Sequence, residues 1–150
     1  MNKQPRILVV DDDENIRKSI KAILEEEGYL VDLAASGKEA VQKSQEQNYN
    51  VALLDIRLPD MEGVELLELM RNTVPRTRKI MVTGYPSLQN AVDALNLQAD
   101  AYLIKPVDVQ NLLMVVKQQL KQQEDEKAFS EQKVVEFIET RVKDITINHV

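Results

Sequence analysis

The chain has 150 residues, of which 43% are hydrophobic and 29% are charged, as in a soluble protein of one domain with a proper core. Its net charge of −6 argues against nucleic-acid binding by the chain as a whole and fits metal or protein partners. The absence of cysteine excludes disulfides, thiolate metal sites and thiol nucleophiles. Residues 1–5 are polar and no apolar run approaches membrane length, so we expect a cytoplasmic protein without membrane contact.

Five short apolar runs predict the strands of a β-sheet. These runs are residues 6–10, 30–34, 51–55, 79–83 and 101–104. The first and third runs do not alternate between apolar and polar residues, which predicts strands buried on both faces. The second run is less uniformly apolar, so we expect it nearer the edge of the sheet.

Helical patterns follow each of these runs, and several begin at residues that commonly cap a helix. Asp13 precedes the first helix, Ser36 and Glu39 have the spacing of a capping box at the second, and Ser87 and Asp108 precede the fourth and fifth. Strands that alternate with helices through short connections predict an α/β fold, with a parallel sheet covered on both faces.

Functional side chains stand at the carboxyl ends of four predicted strands. Asp11 and Asp12 follow the first strand, Asp55 and Thr83 end the third and fourth, and Lys105 follows the fifth. Each alone has a structural explanation, such as a turn, a strand preference or a solvated terminus. In parallel α/β sheets, however, these ends meet at one edge, where ligands bind. Carboxylates that suit a hard divalent cation, a carboxylate nucleophile, a hydroxyl and an ammonium together predict a phosphoryl-transfer site.

Over residues 6–121 the sequence resembles the response regulator receiver domains of two-component signalling. The motifs that carry this resemblance are Val9-Val-Asp-Asp12, Leu54-Asp55 with Pro59-Asp60-Met61-Glu62-Gly63, Val82-Thr83-Gly84 and Tyr102-Leu-Ile-Lys105-Pro106. The resemblance implies a flavodoxin-like, doubly wound (βα)5 fold with strand order 2-1-3-4-5. We therefore expect a receiver domain at residues 1–121 and a helical C-terminal extension at residues 122–150.

The resemblance implies that Asp55 is the phosphoacceptor, which attacks the phosphohistidine of a sensor histidine kinase and becomes an acyl phosphate. It also implies a cofactor, Mg²⁺ or Mn²⁺. The ion would be held directly by Asp12 and Asp55, through water by Asp11 and by the backbone carbonyl of Arg57. Beyond self-phosphorylation and autodephosphorylation at Asp55, no enzymatic activity is expected.

The remaining motif residues are expected to bind phosphate and to switch. Lys105 would pair with the phosphoryl group or, before transfer, with Asp55, while Gly84 leaves the approach to the phosphate open. Thr83 would swing toward the phosphate and Tyr102 would move inward with it. Phosphorylation would thereby alter the face made by the fourth helix, fifth strand and fifth helix, which docks a downstream partner or forms a homodimer.

Three details at the edges of the resemblance carry separate expectations. The Lys105–Pro106 peptide looks like the cis bond of the family. Gln98 stands where relatives usually have glycine, so a glutamine takes the turn that ends the fourth helix. His149 is the only histidine, and we interpret it as a solvated terminal residue.

Two other functions remain open from the sequence. One is a metal-dependent hydrolase with an aspartate nucleophile, but such phosphatases typically have a second acid two residues later, and here Arg57 stands in that place. The other is an interaction module that has the fold without phosphorylation. The complete set of three acids, a threonine and a lysine argues against this module, because a degenerate site would be expected to lose at least one of them.

The C-terminal extension changes pattern after residue 120. Residues 121–127 are polar on all sides, and an apolar series at three- and four-residue spacing follows, namely Val135, Ile138, Val142 and Ile145. This series does not share one heptad register with the preceding helix, so a single uninterrupted coiled coil is not expected. A tail folded back on its domain, a partly disordered tail and a partner-binding helix remain alternatives. The extension is too short and acidic for a separate DNA-binding domain, which leaves a single-domain regulator or a piece of a longer chain.

Overall fold

The computed structural model of the chain describes residues 4–70, 76–84 and 99–148, with side chains as far as residue 145. The predicted fourth helix, with Ser87 and Gln98, lies outside the described residues, and so does His149. Within the described ranges, no helix is long and apolar enough to cross a membrane.

The sheet has five parallel strands in the order β2-β1-β3-β4-β5, which confirms the predicted topology. The strands are β1 (Arg6–Val10), β2 (Leu30–Ala34), β3 (Val51–Asp55), β4 (Arg78–Thr83) and β5 (Ala101–Ile104). Every residue of β3 and β4 is buried, whereas β2 is largely half-buried, as expected for an edge strand. The first predicted boundary of β4 is one residue late, because Arg78 already pairs with Val51.

Four described helices pack around this sheet. They are α1 (Glu14–Glu26), α2 (Gly37–Glu46), α3 (Gly63–Leu69) and a C-terminal helix (Val109–Asn148). The C-terminal helix has 40 residues and runs without a break through residue 121, where the sequence predicts the domain boundary.

The predicted caps begin these helices. The Asp13 carboxylate accepts a hydrogen bond from the Ile16 N–H at 3.1 Å, and Asp108 caps the C-terminal helix in the same way. At α2 the Ser36 hydroxyl accepts from Glu39, but the Glu39 carboxylate reaches back to the N–H of Ala35 instead of that of Ser36. Local sequence therefore fixes where these helices start.

Two apolar layers form the core, one on each face of the sheet. Successive residues of a strand point to opposite faces, so β1 contributes Leu8 and Val10 to one layer and Ile7 and Val9 to the other. The first layer is covered by α2 and α3, and the second by α1 and the first part of the C-terminal helix. This packing holds the strands rigidly, so that their carboxyl ends present side chains at fixed positions.

Candidate functional site

An acidic cleft of about 500 Å³ opens at the carboxyl edge of the sheet. Asp11 follows β1 and is 3% exposed, Asp55 ends β3 and is 7% exposed, and Asp12 is solvent-exposed. One oxygen from each of these three carboxylates lies within 4.8 Å of the others. The full lining of the cleft is Asp11, Asp12, Asp13, Ile16, Asp55, Arg57, Gly84 and Lys105.

Lys105 bridges the two buried carboxylates of the cleft. Its Nζ donates to Asp11 Oδ2 at 2.7 Å and to Asp55 Oδ2 at 3.2 Å. The backbone of Lys105 is held in place because its N–H donates to the carbonyl of Thr83. The Lys105–Pro106 bond is cis, as expected from the resemblance. The sequence suggested a pairing with Asp55 but not the shorter contact with Asp11.

Asp11 is fixed by the first turn after β1. Its N–H donates to the Ala34 carbonyl at 3.1 Å, and its Oδ1 accepts from the N–H of Asp13 at 2.9 Å. Arg17 of α1 donates to the Asp11 carbonyl at 2.7 Å. Sequence reasoning missed Arg17, whose place one helical turn after the Asp13 cap is the signal that could have found it.

The electrostatics of the cleft raise the pKa of both Asp55 and Lys105. Burial, followed by the negative charge of Asp11, raises the pKa of Asp55, although Lys105 and the N–H of Arg57 oppose the shift. Burial alone would lower the pKa of Lys105, but the hydrogen bonds and charges of Asp11 and Asp55 outweigh it and raise that pKa. The cleft therefore holds more negative charge than the half-buried ammonium of Lys105 neutralises.

The loop after β3 carries Arg57 into the cleft and is tied at two points. The Arg57 N–H donates to Asp55 Oδ1 at 3.3 Å. The Asp60 carboxylate accepts from the N–H groups of Gly37 and Lys38 at 2.8 Å each, and these bonds lower the pKa of Asp60. Sequence reasoning gave Asp60 no role beyond the motif, because only the fold brings α2 to this loop.

Gly63 lets α3 begin against the end of β3. A Cβ at this position would lie 2.2 Å from the Asp55 carbonyl oxygen and 2.9 Å from the Ile56 Cα. Its N–H also donates to the Ile56 carbonyl at 2.7 Å. The sequence marked this glycine only as the end of a loop, although the close approach explains why no side chain fits there.

The other predicted site residues lie beside the cleft. Thr83 is fully buried at the end of β4 and Tyr102 lies on β5, and neither side chain lines the cleft. Gly84 does line it, and among the described residues a Cβ there would meet Lys105 alone, at an ordinary 3.8 Å. The Tyr102 ring packs against the α2–α3 layer, and its buried hydroxyl has no hydrogen-bond partner among the described residues.

This arrangement suits a divalent cation and a phosphoryl group. Three carboxylates close together without sulfur or imidazole ligands form the donor set that Mg²⁺ prefers. An ammonium at the same cleft can act as a point charge toward phosphate oxygens. The sequence predicted this chemistry from strand ends alone, and the fold brings Asp11, Asp12, Asp55, Arg57, Gly84 and Lys105 into one cleft.

Comparison with known proteins agrees with this geometry. A model of the protein family described as the response regulator receiver domain matches residues 7–117. The chain is 36% identical over 118 residues to Regulatory protein AtoC of Escherichia coli (strain K12), a match that covers 79% of this chain and 26% of AtoC. It is 34% identical over 116 residues to the Uncharacterized transcriptional regulatory protein YkoG of Bacillus subtilis (strain 168), covering 77% of this chain and 51% of YkoG. The matched region is thus about a quarter of one relative and half of the other.

Solved structures give the same result. The crystal structure of a response regulator receiver domain protein (CheY-like) from Methanospirillum hungatei JF-1 is 52% identical, with a TM-score of 0.80, and the match covers 83% of this chain and 99% of that chain. A two-component response regulator from Clostridium difficile is 34% identical, with a TM-score of 0.75, covering 79% of this chain and 97% of that one. The chain therefore belongs to the response regulator receiver domain family.

Proposed function

We propose that this chain is a phosphorylation-dependent switch of a two-component phosphorelay, with Asp55 as the residue that accepts the phosphoryl group. The observation that carries the proposal is the cleft in which Asp55 shares Lys105 with Asp11. The phosphodonor would be the phosphohistidine of a sensor histidine kinase, as is general for receiver domains. The receiver part comprises residues 1–121, and residues 122–150 are a helical extension.

In this proposal Asp55 acts as the nucleophile. One of its carboxylate oxygens would attack phosphorus while the bond from phosphorus to the imidazole nitrogen breaks, and the electron pair of that bond leaves with the imidazole, which takes up a proton. Attack needs the ionised carboxylate, whereas burial and Asp11 favour the protonated form. Lys105 offsets part of this cost and would then pair with the new phosphoryl group as a point charge.

We propose Mg²⁺ or Mn²⁺ as the cofactor of this site. Asp12 and Asp55 would hold the ion directly, Asp11 through water, and Arg57 through its backbone carbonyl. The excess of carboxylates over the half-buried ammonium of Lys105 supports a cation there. When bound, the ion would neutralise charge on the phosphoryl oxygens during transfer.

The switch itself would involve Thr83 and Tyr102, beside the phosphate-binding residue Gly84. Thr83 ends the strand next to Gly84, which leaves the approach to the phosphate open. The buried Tyr102 hydroxyl lies on β5, so a change at Thr83 can pass to this strand through the β4–β5 pairing. Ile104 of β5 is 54% exposed, which supports a partner surface at the sheet edge that includes β5 and its neighbouring helices.

The output is proposed to be protein contact, either with a downstream partner or within a homodimer, and these 150 residues are not expected to bind nucleic acid directly. The relative YkoG is named as a transcriptional regulatory protein, and the chain matches only about half of its length. An effect on transcription would therefore come from a partner or from a further domain.

The test is intact mass after incubation with acetyl phosphate and Mg²⁺. We expect one phosphoryl adduct that disappears with a chelator and in Asp55→Asn, whereas Asp60→Asn, outside the cleft, keeps it. No adduct on folded protein that binds Mg²⁺ would reject the switch and favour an interaction module without phosphorylation. Sustained hydrolysis of phosphate esters would instead favour the metal-dependent hydrolase.

A further inference from the structure

The Asp12 carboxylate differs from the other two acids of the cleft in how it is held. Lys105 bridges the carboxylates of Asp11 and Asp55. Among the described residues, however, the exposed Asp12 carboxylate forms no hydrogen bond or ion pair. In the proposed cation site, Asp12 is nevertheless one of the two acids that hold the ion directly. The direction in which this carboxylate points therefore depends on the main chain that carries it.

The turn that carries Asp12 is fixed by hydrogen bonds on both sides. The N–H of Asp11 donates to the Ala34 carbonyl at 3.1 Å, and the N–H of Asp13 donates to Asp11 Oδ1 at 2.9 Å. The peptide bond that joins Asp11 to Asp12 is planar, so a group that holds its carbonyl also sets the orientation of the Asp12 N–H and Cα. This carbonyl is therefore a point at which the direction of Asp12 can be controlled.

Arg17 holds this carbonyl from the beginning of α1. Its Nη1 donates to the Asp11 carbonyl oxygen at 2.7 Å, while its own N–H donates to the Asp13 carbonyl at 3.0 Å. A hydrogen bond from a charged guanidinium is stronger than one between neutral groups, and the planar fork of the guanidinium restrains its direction. The half-buried Arg17 thus ties the turn before α1 to the helix that follows it.

The surroundings of Arg17 leave the acids of the cleft available to a cation. Its described hydrogen bond goes to a main-chain carbonyl and occupies none of the carboxylate oxygens. Glu39 of α2 supplies negative charge nearby. The hydrogen bond from the Ala35 N–H lowers the pKa of Glu39, and the positive charge of Arg17 adds to this effect. The ionised Glu39 thereby offsets part of the positive charge that Arg17 brings toward the cleft.

We propose that Arg17 is a positioning residue for the divalent cation, because it holds the Asp11–Asp12 peptide so that the Asp12 carboxylate faces the cleft before an ion arrives. This inference rests on the proposed cation site and concerns the affinity for the ion, not the attack by Asp55. Groups that orient a metal ligand without touching the metal typically contribute about 10- to 100-fold to metal affinity. The gain arises because an oriented carboxylate loses less conformational freedom when it binds.

The direction of the change in affinity separates this role from two others. If Arg17 acted only by charge, its removal would strengthen cation binding, because a positive charge near the acids repels the ion. If Arg17 only stabilised the fold, its removal would lower the thermal midpoint and leave the affinity of the folded chain unchanged. If Arg17 positions Asp12, its removal weakens cation binding by the folded chain.

The first test is the affinity of the chain for Mn²⁺, followed by the electron paramagnetic resonance signal of the free ion, with Mg²⁺ as the competitor. Arg17→Met keeps the length of the side chain but removes its charge and its donors, and we expect the dissociation constant to rise about tenfold. Arg17→Lys keeps the charge and a flexible donor, so we expect a rise of about threefold. Circular dichroism shows whether each variant is folded, and Arg17→Lys carries the test alone if Arg17→Met does not fold.

The control is Arg6→Met, at the opposite end of β1. It removes the same charge, and it breaks the ion pair with Asp32, at 3.2 Å. Arg6 lies about 17 Å along the strand from Asp11, where salt screens most of its charge, so its dissociation constant should stay within about twofold of the unmodified chain. An unchanged or lowered dissociation constant in the folded Arg17 variants, or an equal rise in Arg6→Met, would overturn the proposal.

The second test asks whether Arg17 acts through Asp12. Asp12→Asn should weaken Mn²⁺ binding by itself. Adding Arg17→Met to Asp12→Asn should then change the affinity by less than about twofold, because the carboxylate that Arg17 positions is gone. Effects of the two substitutions that multiply, as for independent residues, would contradict the proposal.

Phosphorylation by acetyl phosphate gives a third readout. In Arg17→Met, the Mg²⁺ concentration at half-maximal rate should rise about tenfold, while the rate at saturating Mg²⁺ stays within about twofold. A lower saturating rate with an unchanged Mg²⁺ dependence would instead assign Arg17 to the transfer step and refute its role toward the ion. An unmodified chain that binds neither ion would reject the proposed cation site and this role with it, whereas equal affinities of the unmodified chain and Arg17→Met would reject the role of Arg17 alone.

Discussion

The glycine at the start of α3 offers the sharpest test of how the fold supports the cleft. In Gly63→Ala, the added Cβ would lie 2.2 Å from the Asp55 carbonyl oxygen, 2.9 Å from the Ile56 Cα and 2.9 Å from the Met81 methyl. Met81 can turn its side chain away, but the other two atoms are backbone at the end of a fully buried strand. Either α3 or the end of β3 must therefore move by about 1 Å to reach ordinary contact distances.

The expected cost follows from these contacts. Overpacking a core usually costs about 1–3 kcal/mol, and an obstacle made of backbone belongs at the upper end of that range. Alanine recovers up to about 1 kcal/mol through its better helix propensity, which leaves about 2 kcal/mol. In a domain of this size that corresponds to a fall of roughly 4–8 °C in the thermal midpoint.

Differential scanning calorimetry of Gly63→Ala beside Gly84→Ala would measure this effect. At Gly84 the added Cβ meets Lys105 alone among the residues that the structure describes, at 3.8 Å, so the midpoint of Gly84→Ala should stay within about 2 °C of the unmodified chain. Equal midpoints for the two variants would refute the reasoning, because the only difference claimed between them is the backbone obstacle.

Two further predictions concern the buried polar groups. Because burial and Asp11 raise the pKa of Asp55, the folded chain binds a proton there more readily than the unfolded chain. In chelator, the contribution of Asp55 to the free energy of unfolding should therefore fall as pH rises above 3.8, its ordinary pKa. In urea titrations, the free energy of unfolding of Asp55→Asn should rise relative to that of the unmodified chain as pH increases through this range; parallel pH profiles would contradict this. Gln123→Ala should lower the free energy of unfolding by about 2 kcal/mol, because the Asn50 side chain and two backbone carbonyls lose their hydrogen-bond partner. The control Gln118→Ala, at an exposed position, should lower it by less than about 0.5 kcal/mol. Equal losses in the two variants would show that the hydrogen bonds of Gln123 do not hold the helix.

Much of the fold could be predicted from the sequence because its signals are local. Short apolar runs between turns and helix caps placed all five strands within one residue, and the cap at Asp13 depends only on its neighbours. The continuous C-terminal helix was harder to predict. Its polar stretch at 121–127 resembles a break until Arg78 and Asn50 are known to supply partners for it.

The candidate site likewise has a part that the sequence predicts and a part that depends on tertiary contacts. Asp11, Asp55 and Lys105 were predicted because a parallel sheet gathers its carboxyl ends at one edge. The closer pairing of Lys105 with Asp11 could not be predicted, since it depends on how a long side chain crosses the neighbouring strands. Gly63 and Asp60 acquire their importance only from the approach of α3 and α2, which no local pattern encodes.

The hydrogen bonds of Arg78 and Gln123 fix the C-terminal helix to the domain, and residues 127–148 extend about 33 Å beyond them. Arg78 lies on β4, the strand that ends at Thr83. A tilt of the helix by about 5° at Arg78 would move its C-terminal end by about 3 Å, which is more than half the rise of a helical turn. A small rotation at β4 would thus produce a large displacement at the end of the C-terminal helix.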